Sequence, residues 1–141
     1  MQSLKQYVLF ALMAVFVASF AIVPAHAQSA RISANIPFDF SLGKSNLTAG
    51  TYSIETQGAL VAFSMRGGDT KYALLRQPSD AVSHDGQPYL IFIRYGTESF
   101  LSKVVFSDDQ AYDLPLSSRE KELATHGMSG EQIAVLIQPA R

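Results

Sequence analysis

The chain contains no cysteine and no tryptophan in 141 residues, and the missing thiols remove whole classes of explanation. Disulfide staples, a thiol nucleophile and a cysteine-ligated zinc are all excluded, so stability must rest on packing. Histidine is scarce at three residues, and charge nearly cancels, with 11 Lys+Arg against 12 Asp+Glu. The signs are interspersed and no basic stripe forms, so neither nucleic acid nor an anionic membrane surface is an expected partner. There is no long-period repeat, no low-complexity tract and no glycine-rich nucleotide fingerprint. What remains is apolar residues in short, regular patterns.

The one long apolar run is an address. Lys5 precedes Tyr7–Val23, and Pro24 leads into Ala25-His26-Ala27, a small-x-small site of the kind signal peptidase cuts. Cleavage is expected between Ala27 and Gln28, giving a leader at 1–27 and one β-domain at 28–141. An uncleaved anchor is the competing reading, because about 17 apolar residues just span a bilayer. The Ala-x-Ala site and the lack of a basic stop-transfer cluster argue against it. The product is expected in the periplasm or outside the cell, without membrane insertion after cleavage. An outer-membrane barrel needs lipid-facing strands of about ten residues, longer than most runs here. Roughly 114 remaining residues can bury about two-thirds of their unfolded-state surface, enough for a real core.

From Ile32 to Leu42 apolar residues fall on every second position, the period of a half-buried strand. Pro37 cannot donate to a ladder, so the strand lies at an edge there or bends and splits. Gly43-Lys44-Ser45-Asn46 is a turn, and Ala49-Gly50 starts an antiparallel partner through Tyr52, Ile54 and Thr56. Further strands are expected at Ala59–Arg66 and Thr70–Gln77, joined by a Gly67-Gly68 hairpin. A longer loop, Pro78–Pro88, leads to Tyr89–Tyr95 and Phe100–Phe106. These two runs are apolar on both faces and belong at the middle of a sheet. Ser117, with Glu120 three residues on and Gly127 beyond, marks a short capped helix. Glu131–Gln138 is the last strand. The fold expected is all-β, a small antiparallel sandwich or barrel of about seven strands with one short helix towards the C-terminus.

PFDFSLGKSNLTAGTYSI (Pro37–Ile54), RYGTESFLSKVVF (Arg94–Phe106) and LPLSSREKELA (Leu114–Ala124) resemble an uncharacterised family of small exported bacterial β-proteins. That family carries a PFDF-x-x-G … L-x-A-G-x-Y opening, a YG … YFLS hairpin and an S-x-x-E-x-E-L helix. Thr48 stands where the family commonly has proline, and Ser99 where it has an aromatic residue. The resemblance implies a β fold and export, and no activity.

Candidate chemistry is sparse. His84 adjoins Asp85 in the long loop and His126 ends the helix, but neither has a second histidine at i+2 or i+4. No G-x-S-x-G elbow exists, since GMSGE ends in glutamate. His126 is accounted for by the negative end of the helix dipole. Asp108, Asp109 and Asp113 together suit calcium's preference for carboxylate oxygens, yet lack the D-x-D-x-D-G spacing of an EF-hand. A solvated loop explains them as well. Glu120 and Glu122 lie two apart on the helix, hence on different faces, and Glu120 is the cap partner of Ser117. Aromatic residues including Phe38, Phe40, Tyr52, Phe63 and Tyr72 suit a core, or the lining of a cavity. No catalytic, cofactor or metal site is assigned. The chain reads as a non-enzymatic exported binding or structural module for an unknown protein or small-ligand partner. The alternatives are a lipocalin-like carrier of an apolar ligand and a small hydrolase or metal enzyme using His84, Asp85 or Asp108/Asp109.

Overall fold

The computed structural model describes residues 31–76, 78–79, 85–107 and 110–137, together with Leu4. The cleavage residues Ala25, Ala27 and Gln28, the loop residue His84, and Asp108 and Asp109 lie outside them. Among the described residues there are ten strands: β1 (Arg31–Ile36), β2 (Phe40–Leu42), β3 (Ser45–Leu47), β4 (Gly50–Gln57), β5 (Leu60–Met65), β6 (Thr70–Leu74), β7 (Tyr89–Tyr95), β8 (Glu98–Ser107), β9 (Gln110–Asp113) and β10 (Glu131–Leu136). Helix α1 (Ser118–Thr125) lies between β9 and β10. The strands form two sheets, ordered β1-β4-β5-β6 and β10-β7-β8-β2-β3, with β9 also on β8. Packed face to face, they make a sandwich, and of the two forms expected the barrel is not the one adopted.

The strand count exceeds seven by three: the opening alternation splits at Pro37 into β1 and β2, one in each sheet, and the short strands β3 and β9 are added to it. β1 runs antiparallel to β4, from Arg31 opposite Glu55 to Ile36 opposite Gly50. Pro37 has no N–H to continue that ladder. Asp39 Oδ1 instead accepts the Ala49 N–H at 2.8 Å, and the chain crosses to the second sheet. There β2 pairs antiparallel with β3 and meets β8 in parallel at Ser41–Phe100. Both halves still point apolar residues inward, so Ile32, Ala34, Ile36, Phe40 and Leu42 share one core. Ser45 and Asn46 are strand and not turn, since Gly43, at φ 58°, lets Gly43-Lys44 close the hairpin alone.

β7 and β8 are central, as their two-faced apolarity requires. Leu90, Phe92, Leu101 and Val104 join the main core, while Tyr89, Val105 and Ala111 form a smaller cluster with Ile91 on the other face. β9 is the strand the sequence reading takes for solvated loop. The preceding crossover also ends β6 early: the N–H groups of Arg76 and Ser79 donate to the carbonyls of Asp113 and Ala111 at 2.7 and 2.9 Å. This lacing ties the first sheet to the second at one corner.

Both ends of α1 follow from local sequence. Ser117 Oγ accepts the Glu120 N–H at 3.1 Å, the N-cap half of a capping box. At the other end Met128 N–H bonds to Leu123 O and Gly127 N–H to Ala124 O, a Schellman closure. Glu120 is buried to 2% exposure, and its Oε1 has no hydrogen-bond partner among the described residues. Burial raises its pKa, and the Ser117 N–H only partly opposes the shift. The folded state therefore holds this proton where the unfolded chain has lost it. Stability from this group is fully present below the ordinary glutamate value and is lost as pH rises from there through the raised folded-state value. Urea unfolding should show Glu120→Gln, which keeps a cap acceptor without the charge, to be more stable than wild type at pH 7. Glu120→Ala, losing the acceptor, should cost about 1 kcal/mol. Equal stability of wild type and Glu120→Gln at pH 7 would contradict the desolvation account.

Candidate binding groove

The motif residues are consumed by the fold. Asp39 holds Ala49, and Tyr52 Oη donates to Thr48 O at 2.7 Å. Gly96, at φ 61°, makes the β7–β8 turn. Arg119 of the helix grips Glu98 in a forked pair, with Nε 3.2 and 3.1 Å from its two oxygens and Nη2 2.7 Å from Oε1. These bonds hold the Glu98 carboxyl below its usual pKa. Glu122 takes the remaining reach of Arg119 at 3.1 Å.

The sequence candidates for chemistry disperse likewise. His126 Nδ1 lies 2.8 Å from the Glu122 carbonyl oxygen, so its hydrogen sits on that nitrogen and the ring caps the helix. Asp113 lies on β9 opposite Lys103, with 3.5 Å between Oδ1 and Nζ. Lys103 also donates to Ser79 Oγ at 2.8 Å. Asp85 has φ 54° and precedes Gly86, at φ 70°, a turn position that aspartate tolerates. Among the described residues no three His, Cys, Asp or Glu side chains gather as a metal site. A polar hollow of about 330 Å³ beside Asp39, Asn46, Thr48 and Glu98 has both carboxylates already engaged.

Another concavity is different. Beside β6 a groove of about 360 Å³ is walled by Tyr72, Ala73 and Leu74, by the Gly43-Lys44 turn with Ser45 at the start of β3, and by the Leu114–Ser118 connection, and Leu60 also lines it. Its chemistry comes from strand parity. Ala73 faces the core, so Tyr72 and Leu74 face outward beside Ala62 and Leu60 of β5. Tyr72, Leu74 and Leu116 are 51, 61 and 49% exposed, a cluster of large apolar side chains where a solvated edge would carry charge. The polar part of the rim is Lys44, Ser45, Ser117 and Ser118.

The sequence leaves Tyr72 open between core and cavity lining and does not show the groove. One signal was available: Thr70–Gln77 is apolar on both faces, yet begins next to a hairpin and ends in charge. The other walls come from segments some 30 to 40 residues away on either side, which no periodicity connects. Comparison with known proteins finds no matching family model, no matching curated protein and no matching solved structure.

Proposed function

We propose that this chain is an exported, non-enzymatic β-sandwich that binds a partner through the groove beside β6. The observation that carries the reading is the convergence of exposed Tyr72, Leu74 and Leu116 on one concavity. Contiguous exposed apolar surface rimmed by polar groups is a mark of interaction sites. The leader read in the sequence supplies the address, and the acidic and imidazole groups described above are engaged in caps, turns and ion pairs. Immobilised protein, in the form its host produces, should retain a component of envelope extract that the Leu74→Asp/Leu116→Asp variant releases. Retention of the same components by both proteins would count against this groove. A broad hydrolase screen yielding turnover lost on changing a single polar residue would overturn the non-enzymatic part.

A second reading, a carrier of a small apolar ligand, draws on the groove volume, which lies within the range of small-molecule sites. In a sandwich such a ligand would sit at the sheet edge. The space between the sheets is occupied by packed aromatic residues.

A further inference from the structure

We infer that the occupant of the groove is an extended segment of another protein, added to β6 as a further strand, with apolar side chains at alternate positions and an acidic side chain beside them. The inference rests on the binding reading above and adds the class of partner.

The first support is the backbone of β6. Leu75 N–H donates to Ala59 O at 2.8 Å, and the β5–β6 register runs without a shift from Leu60–Leu74 to Ser64–Thr70. Leu75 and Ala59 are thus a hydrogen-bonded antiparallel pair, and bonded pairs recur at every second position. Ala73 and Lys71 therefore turn their N–H and C=O groups to β5. Tyr72 and Leu74 turn theirs away from it, on the side where the first sheet has no further strand among the described residues. The same two residues wall the groove. An occupant there meets a row of peptide donors and acceptors at strand spacing, with apolar side chains above them. Another strand satisfies both at once. An acyl chain satisfies only the second.

The second support is charge. Lys44 is exposed at the rim, and it is the only charged side chain among the described residues lining the groove. A carboxylate on the incoming segment answers it, whereas a lysine or arginine there is repelled.

The probe is a synthetic peptide, acetylated and amidated, of sequence Ile-Ser-Ile-Ser-Ile-Ser-Asp, titrated into the protein in the form its host produces. Binding should be saturable and should slow hydrogen exchange at the Tyr72 and Leu74 amides. Lys44→Glu should weaken it at least tenfold, as should lysine in place of the peptide's aspartate. N-methylation of the peptide at alternate residues should abolish binding in one phase and spare it in the other, because only one edge of a strand faces β6. Tyr72→Pro removes an N–H that β5 does not use, so it should fold and fail to bind. Should it not fold, the N-methylated pair asks the same question.

Equal tolerance of both methylation phases overturns strand addition. So does oleate binding in the groove while the peptide does not bind, although that result leaves the groove itself standing as a site. Concentration-dependent dimers lost in Tyr72→Pro would assign the edge to a second copy of the chain and overturn the proposed partner. If neither peptide nor oleate perturbs Tyr72, Leu74 or Leu116, and no dimer forms, both this inference and the groove reading fail.

Discussion

Phe40→Ala should lower the unfolding free energy by about 3–5 kcal/mol, the range for removing a fully packed phenylalanine. Phe40 lies on the short strand β2 of the second sheet and is 3% exposed. Its ring meets Tyr52 at 5.6 Å and Phe63 at 6.0 Å across the sandwich, and Phe92 at 5.3 Å in its own sheet. Three rings lose their common neighbour when it is truncated. A domain of this size has roughly 5–15 kcal/mol to lose, so a large share of its stability goes with one side chain. Phe38 is the informative control. It is half-buried, edge-on to Phe92 at 5.1 Å, with the Arg94 guanidinium 4.9 Å from its ring centre. Phe38→Ala should cost clearly less. Urea midpoints at constant m-value measure both, and equal losses would contradict the assignment of Phe40 to the junction of the sheets.

Gly130→Val should be the second large effect, about 1–3 kcal/mol, through overpacking. A Cβ at Gly130 would stand 2.6 Å from Ile93 Cγ2 and 3.1 Å from the Tyr95 ring, at the entry to β10. The Ile93 methyl sits on a β-branched carbon with little rotamer freedom, so the backbone must move. Gly130→Ala should cost less, and combining it with Ile93→Ala should destabilise by less than the sum of the single changes. Strict additivity in that cycle would show that the glycine serves some purpose other than close approach.

Much of this protein could be read before any coordinates. Parity along Ile32–Leu42 identifies the inward side chains apart from Phe38, which is only half-buried, and the two-faced runs Tyr89–Tyr95 and Phe100–Phe106 do occupy the centre of a sheet. The helix and both its caps were legible, because a capping box and a Schellman glycine are written within a few neighbouring residues. The missed strands β3 and β9 are short and polar. Each pairs with its chain neighbour in a hairpin, β3 with β2 and β9 with β8, and β9 is held further by Arg76 and Ser79 from a distant segment, so neither carries enough apolar pattern of its own to be recognised.

The sequence alone determined which side chains share a strand face and where the helix begins and ends, because alternation and caps are properties of adjacent positions. Only the tertiary structure decided on which sheet each strand would lie. Pro37 and Asp39 send one continuous alternating run into both layers, and make Phe40 a junction where Phe38 is a flank. It also decided that Tyr72 and Leu74 would stay uncovered. Placing a strand at the end of a sheet depends on the count and order of all the others, and no single segment of the chain carries that information.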